Sequence, residues 1–170
     1  MPTGRLRAVE RSLDTIEEKP LAQLYAYWRE AAAGRPFPLN VELRPERFAA
    51  ALQHIGIIER AETPRAGLRI RLCGSDIENK DFGITRGAYI EDAQPPWYRD
   101  HLAPEIEAAM ARVAPVYQRV ETEMDEQKVA FARLLLPLTG DGRGGDMLLV
   151  AAIRPSDSIV SAIRARLTMA

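Results

Sequence analysis

The stretch that decides the fold is Gly67-Leu-Arg-Ile-Arg-Leu-Cys-Gly-Ser-Asp-Ile77. Leu68, Ile70 and Leu72 alternate with Arg69 and Arg71, the two-residue period of a strand with one face in a core. Gly74-Ser75-Asp76 then stops the strand and supplies side chains that cap a helix, so the stretch reads as a strand-to-helix corner. Upstream, Thr63-Pro-Arg-Ala-Gly67 is a turn and Ile57-Ile58 a first strand, which makes the corner the second strand of a hairpin.

Toward the N-terminus, Leu6, Val9, Leu13 and Ile16 recur at spacings of three and four on a charged background. That stripe predicts an amphipathic helix over residues 1–19, ended by Pro20, too short to stand without a partner surface. These four side chains are the candidate dimer interface. Pro20 suits the first turn of a second helix carrying Leu21, Leu24, Tyr25 and Trp28 inward as far as Gly34. Residues 35–45 contain three prolines and read as an extended connector, followed by a short helix through Phe48, Leu52 and Ile55.

Beyond the corner, Ile77, Phe82, Ile84, Tyr89 and Ile90 lie among Gly83, Gly87 and polar residues, as in short helices joined by turns. Pro95-Pro96 opens a longer helix with Leu102, Ile106, Ala109, Met110 and Val113 at helical spacing, which Pro104 either starts or kinks. The last third predicts three strands at 116–124, 129–139 and 147–153, with Gly140-Asp-Gly-Arg-Gly-Gly145 as the turn between the last two. Leu134-Leu-Leu136 and Leu148-Leu-Val-Ala-Ala-Ile153 are continuous apolar runs, so both faces of those strands need cover. One longer helix covers one face; the other calls for the N-terminal helices or a second subunit. Ser156 or Asp157 then caps a helix over residues 155–170, with Ile159, Ile163 and Leu167 on one side and Arg164 and Arg166 on the other.

This order of elements is similar to that of a PAS domain: an α+β fold with a five-stranded antiparallel sheet, helices on one face and N-terminal helices flanking it. Local motifs resemble one single-domain, mostly alphaproteobacterial PAS family. Leu24-Tyr-Ala-Tyr-Trp28 resembles its opening helix, and Arg69-Ile-Arg-Leu-Cys-Gly-Ser75 its Arg-Leu-x-Gly-Thr corner. Phe82-Gly-Ile-Thr-Arg-Gly87 resembles its Gly-x-x-Thr-Gly turn with altered spacing, and Arg133-Leu-Leu-Leu-Pro-Leu138 with Asp141-Gly142 and Asp146 its Leu-Pro-Leu strand and hairpin. Asn40-Val-Glu-Leu-Arg-Pro45 departs from the family in lacking an acidic residue before proline. The expected division is residues 1–19, a PAS-like domain over 20–154 and the C-terminal helix.

The resemblance implies a sensory or regulatory module of signal transduction, with a cavity between sheet and helices and output through helices at the domain's edge. Candidate cavity residues are Arg71, Leu72, Ile77, Ile84, Tyr89, Trp97, Tyr98, His101, Ile106 and Leu136, with Arg71 and Tyr89 as polar handles. The expected partners are another signalling protein, a second copy of the chain and a small apolar ligand. No haem or flavin is predicted, and a cofactor-bearing sensor is the alternative. It would use His101 as an axial ligand or Cys73 as an adduct thiol. A small-molecule-binding protein or an enzyme on a PAS-like scaffold is the further alternative.

Composition narrows the remaining classes. With 170 residues, 46% apolar and 28% charged, the chain is sized for one domain with a real core. A net charge of −1 offers no general attraction to nucleic acid. The lone Cys73 rules out an internal disulfide and fits a reducing compartment, and neither a membrane-length apolar run nor a secretion signal is present, so a cytoplasmic protein is expected. Two histidines and one cysteine far apart predict no zinc site. The glycine-rich turn precedes a strand, not the helix a phosphate loop needs, and its Gly-Gly-Asp lacks the acidic residue and phenylalanine of a diguanylate cyclase. Glu121, Glu123 and Asp125 alternate along one strand with no convergent base or nucleophile, and no catalytic constellation is predicted.

Overall fold

The computed structural model describes residues 4–153; the predicted C-terminal helix lies outside the described residues. Six strands and two helices follow in the order β1 (Gly4–Arg11), α1 (Lys19–Ala32), β2 (Ile55–Ala61), β3 (Gly67–Cys73), α2 (Pro96–Arg112), β4 (Val116–Met124), β5 (Gln127–Leu138) and β6 (Met147–Ile153), with short 3-10 turns between. The strands form one antiparallel sheet in the order β1-β4-β5-β6-β2-β3.

The sixth strand is the main departure from expectation. Residues 4–11 are a strand paired along its whole length with β4, from Gly4 opposite Met124 to Arg11 opposite Tyr117, not part of an amphipathic helix. Arg5-Leu6-Arg7-Ala8 also satisfies a two-residue period, and the three-and-four spacing of Leu6, Val9, Leu13 and Ile16 arises from joining this strand to the 3-10 turn Leu13–Thr15. A waiting β4 edge decides between the two periods. Gly4, Leu6, Ala8 and Glu10 lie on the α2 face, where Glu10 pairs with Arg112 at 2.9 Å. Arg5 and Arg7 lie on the other, opposite Glu123 and Glu121.

The continuous apolar runs in β5 and β6 are covered on both faces, as predicted. Leu134, Leu136 and Leu138 meet α1, whose Leu21, Leu24, Tyr27 and Trp28 join Phe48, Ala51 and Ile55 in one core. Leu135 and Leu148 face α2 and the turns, with Ile58, Leu68, Ile70, Ile84, Ile90, Ile106 and Met110 in a second core. Because α1 closes its face within the chain, a second subunit is not needed for cover.

Pro137 stands in a central strand, normally a poor place for a residue without an N–H. Strand β4 ends its pairing with β5 at Leu135, so beyond that point β5 has a neighbour only on the β6 side. The Trp28 indole N–H takes the missing strand's place by donating to the Pro137 carbonyl at 2.9 Å. Residues 38–40 continue the substitution, exchanging backbone hydrogen bonds with Thr139.

Candidate functional site

The hairpin of β2 and β3 carries a bulge that redirects the corner stretch. Ile57 opposes Leu72 while Ile58 opposes Ile70, so Arg71 has no cross-strand partner and the side chains beyond it change face. Leu68 and Ile70 enter the α2-side core as the alternation predicts, whereas Leu72 is turned to the opposite face and is 40% exposed. Arg71 meets Glu59 at 3.3 Å beside Arg69 on the outer surface, so it is no pocket handle. Gly74 follows because a Cβ there would lie 2.6 Å from the backbone oxygen of Gln53.

Between this hairpin, α2 and strands β5 and β6 lies a cavity of about 110 Å³. Its walls are mostly aliphatic, among them Ile58, Ile70, Ile84, Ile106, Leu135 and Val150. Of the sequence-predicted lining, Ile77, Ile84, Tyr98 and Ile106 are there. The other six are elsewhere. Arg71 and Leu72 are displaced by the bulge. Tyr89 lies outside, its hydroxyl donating to the Arg65 carbonyl at 3.1 Å under that residue's guanidinium. Trp97 packs toward β1, where a Cβ on Gly4 would strike its ring. His101 is one α2 position away from the wall. Leu136 is fully buried on the α1 face, because alternation in β5 sends it opposite to Leu135.

The charged residues that line the cavity are not among the sequence-predicted ones. Arg133, 4% exposed, projects from β5 beside Leu135. Its Nε donates to Gln118 Oε1 of β4 at 2.9 Å and its Nη2 to Glu105 Oε2 of α2 at 3.1 Å, while Gln118 Nε2 donates to the same Glu105 oxygen at 3.1 Å. Burial works against the Arg133 charge and Glu105 supports it. The available signal is a charge inside an apolar strand run, which must find a counter-charge when both faces are covered. His101 Nε2 is buried without a hydrogen bond, 3.9 Å from Glu105 Oε1. Burial lowers the His101 pKa, Glu105 opposes that shift and Arg133 adds to it.

Cys73 packs half-buried against the α2-side core, its Sγ 4.0 Å from the Ile84 carbonyl, and burial pushes its thiol up to about 11. His54 Nδ1 pairs with Asp76 at 3.0 Å, not with the thiol. Glu121 and Glu123 do not form an acid pair but face the arginines of β1, with Arg5 and Glu123 2.6 Å apart. The dimer candidates divide: Leu13 and Ile16 pack against the α1-side core, Leu6 is on the α2 face of β1, and Val9 is 37% exposed on the opposite one. Among the described residues no three His, Cys, Asp or Glu side chains gather as metal ligands, and no helix is long and apolar enough to cross a membrane.

An antiparallel sheet crossed by one long helix and several short turns, with a small cavity beneath them, is an α+β architecture. A family model described as PAS domain matches residues 16–151, and the chain belongs to that family. A search of the curated proteins and one of the solved structures each returned no match.

Proposed function

We propose that the chain is a non-enzymatic regulatory module of signal transduction that acts through a partner protein, its state modulated by a small ligand in the cavity under α2. The observation that carries this reading is the cavity itself: lined mostly by aliphatic side chains, about 110 Å³ in volume, and set between the sheet and α2, where the resemblance to PAS domains implies a sensory pocket. A cavity of comparable size and lining admits a molecule of roughly benzene size. Haem and flavin are several times larger, and neither His101, outside the wall, nor Cys73, with its raised pKa, fits the role a cofactor would require. Arg133 and Glu105 bond to each other and to Gln118, which supports binding over catalysis. A reducing, cytoplasmic setting belongs to the same reading, supported by the lone unpaired cysteine.

A homodimer is part of the proposal, formed along β1. Its support is that β1 is an edge strand whose outer side pairs with nothing among the described residues, and open edges accept further strands. Native mass spectrometry of the purified protein reports bound mass and subunit count together. The expected result is a dimer with either no adduct or a small-molecule adduct. A bare monomer would remove the dimer, and a haem or flavin adduct would remove the cofactor-free reading.

A further inference from the structure

Resting on the reading of the cavity as a ligand site, we infer that its ligand is a small, uncharged molecule with an apolar body and a single hydrogen-bonding head, seated against the Arg133–Glu105 pair. The body is set by the walls. Ile58, Ile70, Ile84, Ile106, Leu135 and Val150 offer only dispersion and burial, and the volume accommodates about one aromatic ring or an equivalent branched chain.

The head is set by what remains at the polar end. Arg133 is almost fully buried, so its charge must be matched inside the protein, and Glu105 matches it. The wall is thus already neutral. An anionic ligand would compete with Glu105 for the guanidinium, and a cationic one would compete with the guanidinium for Glu105; either leaves one charge short of a partner in a desolvated place. A neutral hydroxyl adds no charge. A guanidinium carries five N–H donors and the Gln118 and Glu105 bonds occupy Nε and Nη2, so donors remain for a ligand oxygen. Asp76, the other acidic residue on the wall, is 46% exposed and held by His54, so it supplies no second buried charge.

Four probes of one-ring size separate these chemistries: phenol, its near-isostere toluene, benzoate and benzylammonium, each titrated at pH 7 by calorimetry against the full chain. Phenol is expected to bind at least as tightly as toluene, although water solvates its hydroxyl, and about tenfold or more tighter than either ion. In the triple variant Glu105→Leu, Arg133→Met and Gln118→Leu, which removes the polar end as a unit, the phenol-to-toluene affinity ratio is expected to fall by about tenfold or more. Val150→Phe, which fills the cavity, abolishes binding of both; folding of each variant is verified by circular dichroism. Benzoate or benzylammonium binding tightest, or a phenol-to-toluene ratio unchanged in a folded triple variant, would overturn the assignment. So would the absence of binding by all four probes. An endogenous adduct of another class in native mass spectrometry would discard the ligand chemistry and leave the sensory reading standing, whereas loss of the cavity's role altogether would show as Val150→Phe binding every probe unchanged.

Discussion

Replacing Glu105 with leucine tests whether the cavity's polar end is a coupled unit. The Arg133 side chain is 5% exposed, so without Glu105 its guanidinium keeps only the Gln118 carbonyl as a named acceptor. Stranding a buried charge in this way costs about 3–5 kcal/mol. Replacing Arg133 with leucine instead should cost less, about 2–3 kcal/mol, because Glu105 is 28% exposed, retains some water and still accepts from Gln118. The double variant removes both charges and leaves only Gln118 unsatisfied, a loss of about 1–3 kcal/mol. The single costs therefore exceed the double cost by at least about 2 kcal/mol, well beyond the scatter of additive sites. Urea unfolding at pH 7, extrapolated linearly, measures all four corners of the cycle. Additive singles within about 0.5 kcal/mol, or a Glu105→Leu cost under about 1 kcal/mol, would refute the coupled burial.

Cys73, its thiol raised by burial to about 11, should react with iodoacetamide at pH 8 about a hundredfold more slowly than a free cysteine, as followed by mass spectrometry. Tyr117, raised to about 12 by burial and by its 2.6 Å hydrogen bond to Glu18, contributes stability that is complete below the phenol's ordinary value near 10 and lost as pH climbs toward 12. Alkaline unfolding of Tyr117→Phe should lack that step. In the β4–β5 hairpin, Asp125 and Glu126 both hold positive φ angles, 49° and 67°, in a two-residue turn suited to an asparagine followed by a glycine. The double substitution D125N/E126G should gain about 0.5–1 kcal/mol by thermal unfolding. At concentrations where the chain is monomeric, native-state hydrogen exchange over residues 5–11 should show alternate protected amides, the signature of a strand bonded on one side only. A continuous protected run in the monomer would restore the helix predicted there, whereas protection that becomes continuous only on dimerisation marks pairing at the β1 edge.

Much of the central architecture is legible in the sequence because its signals are local. Period two in Leu68 and Ile70, the apolar runs of β5 and β6, and the Leu21, Leu24 and Trp28 stripe each require one kind of element and one kind of cover. What escapes the sequence depends on partners far along the chain. Residues 4–11 fit two periods, and the choice is made by β4, more than a hundred residues away. Leu72 leaves the face that alternation predicts because a bulge at Arg71 shifts the register without a glycine or proline to announce it. Leu136 reads as a cavity residue because a run of three leucines hides its own alternation; only the pairing with β4 and β6 shows that Leu135 faces α2 and its neighbours face α1. The cavity's charged wall is hidden for the same reason, since Arg133, Glu105 and Gln118 converge from three elements.

The location of that triad matters more than its strength. A buried ion pair adds little stability compared with apolar residues of the same shape. Its directional bonds, however, hold α2 to two strands at once, through Gln118 on β4 and Arg133 on β5. The apolar contacts of α2 through Leu102, Ile106 and Met110 are non-directional and set no unique position along the sheet. Strand β4 is also the strand to which β1 pairs, and α2 reaches β1 separately through Arg112 and Glu10. The same helix thus touches the cavity wall and the open edge of the sheet. On the proposed reading, a ligand head that alters how Glu105 is shared between Arg133 and Gln118 would act on the helix's anchor, not merely on a filled space, so the wall's chemistry, more than the cavity's volume, would govern the response.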